Sequence, residues 1–214
     1  MKAEVLALCN GAPARLSDGK LSSIDKSAVD GPVRITRMGL EGDTQTDRKY
    51  HGGEHMAVHL YAADHYPHWR EEIPEVSRLA APGAFGENLH TRGMTEADVF
   101  IGDRFRLGSA VLELSMGRQP CRTLERHFQR KDMVRRIIRN HRCGWYYRVI
   151  EEGAAQAGDT LELVERVQGD WSVDAAFALL FDPESDSPAS AVRSLLSLPA
   201  LGPHWQAKLR AKLR

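Results

Sequence analysis

Short runs in which apolar and polar residues alternate make up most of the first 165 residues. Alternation with a period of two is typical of strands that have one buried face. Glycine-containing turns such as Asp18-Gly19 and Gly158-Asp159 separate the runs. Many short strands joined by such turns favour an antiparallel barrel or a sandwich. The predicted strands are residues 3–8, 33–36, 57–61, 99–101, 104–107, 110–115 and 160–164.

Two helical patterns and one aromatic strand interrupt this series of short alternating strands. Residues 62–72 predict a helix that ends near Pro74, and residues 132–141 predict a second with apolar residues on one face. Residues 144–150 predict a strand rich in aromatic side chains, which are more typical of a core than of a binding site. The first part of the chain is therefore interpreted as a β-rich barrel with embedded helices, of mixed α+β class.

After Gly169 the pattern changes from short alternating strands to helical spacing. Ser172 is a typical N-cap residue, and residues 172–180, 189–198 and 203–213 predict three short helices. The predicted domains are a barrel at residues 1–168 and a three-helix unit at residues 169–214. A unit this small has little core of its own, so we expect it to pack on the barrel or on another chain.

Composition narrows the functional class. The 214 residues contain 29 basic and 29 acidic side chains, a balance that argues against a nucleic-acid or acidic-membrane partner. No run approaches the roughly 18 apolar residues needed to cross a bilayer. The first residues resemble no secretory signal, and three cysteines without a CxxC pair are typical of a reducing compartment. We therefore expect a cytoplasmic protein.

Cys121 is the residue with the most suggestive surroundings. It follows a predicted strand and a short loop, and Arg118 and Arg122 lie on either side of it. Nearby positive charge favours the thiolate, which attacks electrophiles and binds soft metals. The alternative is a buried cysteine that acts as a small hydrophobic residue.

Two glycine-flanked polar segments are further candidates. In Lys49-Tyr50-His51-Gly52-Gly53, backbone N–H groups next to the glycines can form an anion-binding nest. In residues 83–89, Glu87 and Asn88 offer an acceptor and a donor to a heterocycle. Ordinary turns explain both segments equally well.

Three histidines recur at a spacing of four, which raises the hypothesis of a zinc hydrolase. On a helix, His51, His55 and His59 would form a metal-binding face. Gly52 and Gly53 argue against a helix, and in a strand His55 and His59 would share a face without His51. This hypothesis has little support from the sequence.

Taken in order, five segments resemble the MOSC family, the relatives of the molybdenum cofactor sulfurase C-terminal domain. No single segment is specific, but the ordered set and the two-part layout resemble the stand-alone YiiM-type members, which have a three-helix appendage. The resemblance covers essentially the whole chain. The segments are Gly39 to Asp43, His51 to Gly53, Phe85 to Leu89, Arg118 to Cys121, and Gly144-Trp145.

The resemblance implies a β-barrel that holds a molybdopterin-type molybdenum cofactor, with Cys121 as the protein ligand to the metal. It also implies reduction of N-hydroxylated bases such as 6-hydroxylaminopurine. The chain departs from the family after Gly53, where Glu54-His55-Met56 stands in place of an aspartate and a basic residue. Substrate preference is therefore expected to differ.

The remaining candidate roles follow from side-chain chemistry combined with that resemblance. Basic side chains would neutralise the anionic cofactor, the Gly-Gly backbone would hold the pterin or its phosphate, and Glu87 with Asn88 would recognise the pterin edge. His51 or Asp43 would deliver the proton to the leaving hydroxyl. The expected cofactor-binding residues are Lys49, His51, Gly52, Gly53, Glu87, Asn88, Arg118, Gln119 and Arg122.

The resulting hypothesis is a molybdenum enzyme that takes electrons from a separate flavoprotein, because the chain has neither a GxGxxG fingerprint nor an iron–sulfur cysteine set. The main alternative is a non-catalytic cofactor or sulfur carrier that uses Cys121. A persulfide or peroxide-sensing thiol is a further alternative. The C-terminal helices are interpreted as a homodimer contact or a docking site for the electron donor, and zero net charge disfavours a nucleic-acid module.

Overall fold

The computed structural model describes residues 1–46 and 52–214. Its strands confirm most of the predicted ones, to within two residues at each end. The strands are β1 Lys2–Asn10, β2 Ala14–Arg15, β3 Leu21–Ser22, β4 Ser27–Val29, β5 Val33–Thr36, β6 Gly39–Leu40, β7 Val58–Ala62, β8 Leu89–Arg92, β9 Arg104–Leu107, β10 Ala110–Gly117, β11 Trp145–Glu151, β12 Gly153–Ala155 and β13 Thr160–Glu165.

The helices include all those that the sequence predicts. The segment 62–72 divides into a 3₁₀ turn at Ala63–His65 and an α-helix, and all three C-terminal helices are present. Further 3₁₀ turns lie at Glu54–Met56 and Ser77–Ala80. The α-helices are α1 Tyr66–Glu72, α2 Arg122–Phe128, α3 Met133–Asn140, α4 Val173–Phe181, α5 Ala189–Leu196 and α6 Pro203–Lys212.

Seven strands close into a barrel in the order β13, β9, β10, β11, β7, β8, β1, and β1 pairs back onto β13. All neighbours are antiparallel except β7 and β8, which run parallel. Closure confirms the predicted mixed α+β barrel and removes the sandwich alternative. It also leaves none of the seven strands with an unpaired edge.

Differences in burial explain why the sequences of β10 and β11 differ. All eight residues of β10 are buried, because one face points into the barrel and α4 packs against the strand outside. In β11, Trp145, Tyr147 and Val149 are buried while Tyr146 and Arg148 are half-exposed. That period-two alternation places Tyr146 on the opposite face from the core aromatics.

One predicted strand was wrong, and one helix and several short strands were not predicted. Residues 99–101 form only an isolated bridge, between Phe100 and Ser172. Their backbone instead binds the start of the three-helix unit, since Ile101 N–H donates to Trp171 O at 3.0 Å and Val173 N–H donates to Val99 O at 2.9 Å. The helix α2 and the strand β8 are the main elements that the alternation did not indicate.

The three C-terminal helices dock firmly on the barrel. The Ser172 hydroxyl accepts a hydrogen bond from Ala175 N–H at 3.1 Å, which confirms the predicted N-cap of α4. At the start of α6, Gly202 N–H donates to Ser115 O on β10 at 2.9 Å. The Trp205 ring lies so close to Gly117 that an added Cβ would come within 2.8 Å of it. The domain boundary at residue 168 stays a prediction. No helix in the described ranges is long and apolar enough to cross a membrane.

Candidate functional site

A cavity of about 270 Å³ opens at one end of the barrel. The segment around β3, the segment 43–46, β7 and the loop before α2 build its wall. Gly86 also lies in the wall with a φ of 72°, where a side chain would come within 2.8 Å of Ile24 Cγ1. We call this the barrel cavity. Among the described residues, its charged lining consists of four basic side chains (Lys20, Lys26, Arg118, Arg126) and one carboxylate (Asp43), and six hydroxyls also line it (Ser22, Ser23, Thr44, Thr46, Thr123, Tyr146).

Lys26 and Asp43 form a buried ion pair in this wall. Lys26 Nζ lies 2.5 Å from Asp43 Oδ2, and the two side chains are 9% and 8% exposed. Asp43 also accepts hydrogen bonds from Gly11 N–H and from Asn88 Nδ2, both at 2.8 Å. Burial lowers the pKa of Lys26, and the neighbouring Asp43 opposes that shift. Asp43, predicted as a proton donor to substrate, is therefore fixed as an anchor that joins separate segments of the wall.

Asn88, a predicted cofactor-binding residue, lies in the wall of the barrel cavity, but the protein satisfies its amide. Its Nδ2 donates to Cys9 O as well as to Asp43, and its Oδ1 accepts from His59 N–H at 3.0 Å. Asn88 therefore positions β7 against β1. Because these contacts occupy its amide, it has little hydrogen-bonding capacity left for a ligand.

Glu87 requires a correction, because it does not line the barrel cavity. It is fully buried, and its carboxylate accepts from Tyr66 Oη at 2.5 Å, Gly83 N–H at 2.9 Å and Phe85 N–H at 3.0 Å. Burial opposes its ionisation, but hydrogen bonds from His90 and Tyr66 bring the pKa of Glu87 below its ordinary value. The predicted recognition of a pterin edge is replaced by a structural role, in which the carboxylate holds the turn at residues 83–85.

His59 was considered in the sequence only as a metal ligand, yet its ring forms part of the barrel cavity wall. Its centroid lies 5.0 Å from that of Tyr146, and Nδ1 donates to Gly86 O at 3.1 Å. Burial and the nearby Arg118 lower the pKa of His59 well below its ordinary value, so the ring is neutral. Its Nε2 is buried beside Gly144, where a Cβ would come within 2.9 Å, and has no hydrogen-bond partner in the described part of the chain.

Cys121 lies half-buried on the rim of the barrel cavity, immediately before α2. Its neighbour Tyr146 is also in the wall, and so is Arg118. Burial raises the pKa of Tyr146, and Arg118 opposes that shift. Of the two arginines predicted to flank the thiol in the site, only Arg118 lines the cavity. Arg122 is exposed on α2 and lies outside the wall, because the helix turns it toward solvent.

A second pocket of about 240 Å³ lies on the other side of Cys121. Met56, Cys121 and Tyr146 line both cavities. The predicted site residue Gln119 lies in the second pocket, not in the barrel cavity. We call it the helix-side pocket, because α6 supplies one of its walls. The rest of its lining is Met116, Gly117, His204 and Trp205.

The Gly-Gly segment is only partly described. The predicted site residues Lys49 and His51 lie outside the described residues. Gly53 has a φ of 93°, and its N–H donates to Gln45 Oε1 at 3.0 Å. Neither Gly52 nor Gly53 lines the barrel cavity or the helix-side pocket, and the predicted anion nest stays a prediction.

The zinc hypothesis finds no support among the residues that the structure describes. No group of three histidine, cysteine or carboxylate side chains there is placed to hold a metal ion. His55 lies in the 3₁₀ turn before β7, whereas His59 lies within the strand, so the two do not share a strand face.

Comparison with known proteins decides the family. The MOSC domain profile matches residues 47–162, and the profile of the YiiM-like three-helix domain matches residues 171–214. The chain belongs to the MOSC family. It is 40% identical to the Escherichia coli protein YiiM, over 88% of this chain and 83% of that protein.

Two further MOSC relatives bear on fold and function. The crystal structure of YiiM from Geobacillus stearothermophilus covers 99% of this chain and all of its own, with a TM-score of 0.83 and 30% identity. A Gibberella moniliformis protein named "Reductase" is 44% identical over 71% of this chain, which corresponds to only 27% of that longer protein.

Several wall residues of this MOSC protein were missed as site residues, among them Tyr146, Lys26 and His204. Tyr146 could have been found, since the alternation in β11 separates it from the core aromatics. Lys26 gives no local signal, because its carboxylate partner lies 17 positions away. His204 lies in the predicted C-terminal unit, and only docking of α6 brings it next to Cys121.

Proposed function

We propose that this MOSC protein binds a molybdopterin-type molybdenum cofactor in the barrel cavity and reduces N-hydroxylated compounds, such as 6-hydroxylaminopurine, to amines. The observation that carries the proposal is the position of Cys121 on the rim of a basic, hydroxyl-rich cavity. MOSC domains are associated with molybdenum cofactor binding in general, and the name of the Gibberella relative supports reduction.

The chemistry of the wall fits such a cofactor. A molybdopterin phosphate is anionic, and Lys20 and Arg118 offer positive charge. Arg126 is paired with Asp18 at 2.8 Å, and the wall carboxylate Asp43 is paired with Lys26. Serine and threonine hydroxyls can donate to phosphate oxygens. The thiolate of Cys121 is a suitable soft ligand for molybdenum. When bound, the cofactor supplies a two-electron redox centre, which no side chain of the wall can supply.

The reaction needs two electrons and two protons for each hydroxylamine. The N–O bond breaks, an N–H bond forms, and the hydroxyl leaves as water. The electrons come from a separate reduced flavoprotein, because the sequence has no dinucleotide-binding fingerprint of its own.

Within the chain, Tyr146 is the group that holds a proton next to Cys121. Its hydroxyl is protonated at neutral pH because the ordinary pKa of tyrosine is about 10, and burial raises the pKa of Tyr146 further, while the nearby Arg118 opposes that rise. Asp43 is not assigned this role, since Lys26 and two further donors occupy its oxygens.

The first test measures molybdenum per chain by elemental analysis, in protein from a cofactor-competent host supplied with molybdate. We expect near-stoichiometric metal in the wild type and a large loss in Cys121→Ala. Cys121→Ser keeps the side chain's size but replaces the soft ligand, and we expect it to lose metal as well. Cys143→Ala removes a thiol that is buried away from both cavities, and should retain metal.

Turnover separates the enzyme from the alternative function, a cofactor or sulfur carrier. Loaded wild-type protein supplied with 6-hydroxylaminopurine and an artificial reductant should form adenine, and a carrier should form none. Equal metal in the wild type and Cys121→Ala would remove Cys121 from the ligand role. Absence of metal in the wild type, while the host's own molybdoenzymes are loaded, would refute the proposal.

A further inference from the structure

We infer that the helix-side pocket binds the aromatic part of the hydroxylamine substrate, with His204 as a specificity-determining residue supplied by the C-terminal unit. This inference rests on the proposed function, and it assigns the substrate to a different cavity from the cofactor. The three-helix unit thereby becomes part of the active site and not merely an appendage.

The first argument is position. Cys121 and Tyr146 line both cavities, so a ligand in each would meet at the same thiol and the same hydroxyl. A cofactor held in the barrel cavity leaves the helix-side pocket as the second approach to that thiol. A substrate there would also lie beside the proton that Tyr146 holds.

The second argument is the chemistry of the pocket wall. Met56, Met116 and Trp205 line it with apolar side chains, unlike the basic wall of the barrel cavity. Met116 and Trp205 are each only 1% exposed, so of the three Met56 offers the most surface to a ligand. A thioether makes favourable contacts with flat aromatic rings. The volume of about 240 Å³ is several times the roughly 30 Å³ share of one water molecule, which is room for a small ring system. The pocket therefore suits an uncharged, planar hydroxylamine.

The third argument is that His204 is held in place while remaining reachable. It is half-exposed in the pocket wall, and its neighbour Trp205 is buried against Gly117. The hydrogen bond from Gly202 N–H to Ser115 O fixes the first turn of α6 on the strand that leads to Cys121. An imidazole can both donate and accept, which matches the nitrogen-rich edge of a purine. His204 is thus placed to select among aromatic rings by hydrogen bonding.

A binding experiment tests the pocket without the cofactor. In cofactor-free protein, iodoacetamide should alkylate Cys121 much faster than the buried Cys9 and Cys143, and peptide mass spectrometry reads out each thiol. Adenine, the amine product, should slow alkylation of Cys121. We expect His204→Ala to raise the adenine concentration needed for half-protection by about tenfold and His204→Gln to restore part of it.

Two matched controls locate the adenine. Arg126→Ala alters the barrel cavity alone and should leave protection unchanged. His68→Ala removes an exposed histidine on α1 that lines neither cavity, and should also have no effect. If Arg126→Ala abolishes protection while His204→Ala does not, adenine binds in the barrel cavity and the inference is overturned.

Steady-state kinetics of the loaded enzyme add a second readout. His204→Ala should raise KM for 6-hydroxylaminopurine about tenfold, with molybdenum per chain unchanged and kcat changed little. An unchanged KM would overturn the assignment of His204. If the wild type shows His204-dependent protection but no turnover, the pocket stands and the proposed reductase function fails, so the two failures are distinguishable.

Discussion

Substitution of Gly117 by alanine tests how firmly the C-terminal helices are fitted to the barrel. An added Cβ would lie 2.8 Å from Trp205 Cη2, 2.9 Å from Cζ2 and 3.1 Å from Val173 Cγ1. Both neighbours are at most 1% exposed, so neither ring nor methyl can move aside without disturbing the core. The φ of Gly117 is not in the left-handed region, so the expected effect is steric and not conformational.

The size of the effect follows from overpacking. One methyl group forced into a filled site costs about 1–3 kcal/mol. The lower entropy of the unfolded alanine chain offsets roughly 0.4–1 kcal/mol of that cost. For a chain of this length, each kcal/mol lowers Tm by about 2–4 °C, so Gly117→Ala should melt several degrees below the wild type.

Differential scanning calorimetry and urea unfolding provide the measurement, and Gly169→Ala provides the control. Gly169 has no atom within 4 Å of its added Cβ and a φ outside the left-handed region. Its replacement should leave Tm unchanged or raise it slightly. If Gly117→Ala is as stable as Gly169→Ala, the close contact between Trp205 and the strand leading to Cys121 does not exist in solution.

Two further predictions concern buried ionisable groups. Burial, and then the nearby Arg78, lower the pKa of His127 from 6.5 to about 4, so the native state binds fewer protons than the unfolded one. The stability contributed by neutral His127 is complete above pH 6.5 and falls by up to about 3 kcal/mol as the pH drops towards 4. In His127→Gln, the urea midpoint of unfolding should therefore depend less on pH over that range. Lys26→Met leaves Asp43 buried without its cation and should cost about 3–5 kcal/mol of unfolding free energy by urea titration, whereas exposed Lys20→Met should cost little. Equal losses for Lys26→Met and Lys20→Met would contradict the buried pair.

Local patterns predict the elements of this fold well and their contacts poorly. The N-cap at Ser172 and the aromatic strand at residues 144–150 depend on neighbouring residues, and both predictions were confirmed. The run at residues 99–101 has the composition of a strand, but its partner is the backbone at the start of the three-helix unit. Hydrogen-bond partners far apart in the chain leave no trace in a local pattern.

In the candidate site, too, local patterns predict single residues better than they predict contacts. Cys121 was identified from nearby charge and a loop, and it does lie on the rim of the barrel cavity. Glu87 and Asn88 were paired by sequence adjacency, yet only Asn88 lines the cavity, while the Glu87 carboxylate binds its own turn. The wall residues Lys26 and Tyr146 come from separate segments that only barrel closure brings together.

The parallel pair β7–β8 follows from the odd number of strands in the ring. Around any closed ring, strand direction must reverse an even number of times, so seven strands require at least one parallel neighbour pair. Parallel neighbours need a long crossover, here residues 63–88, and its last residues place Gly86 and Asn88 in the cavity wall. In an eight-stranded up-and-down ring a tight hairpin could replace that crossover. The odd number of strands therefore requires a long crossover, and the end of that crossover forms part of the cavity wall.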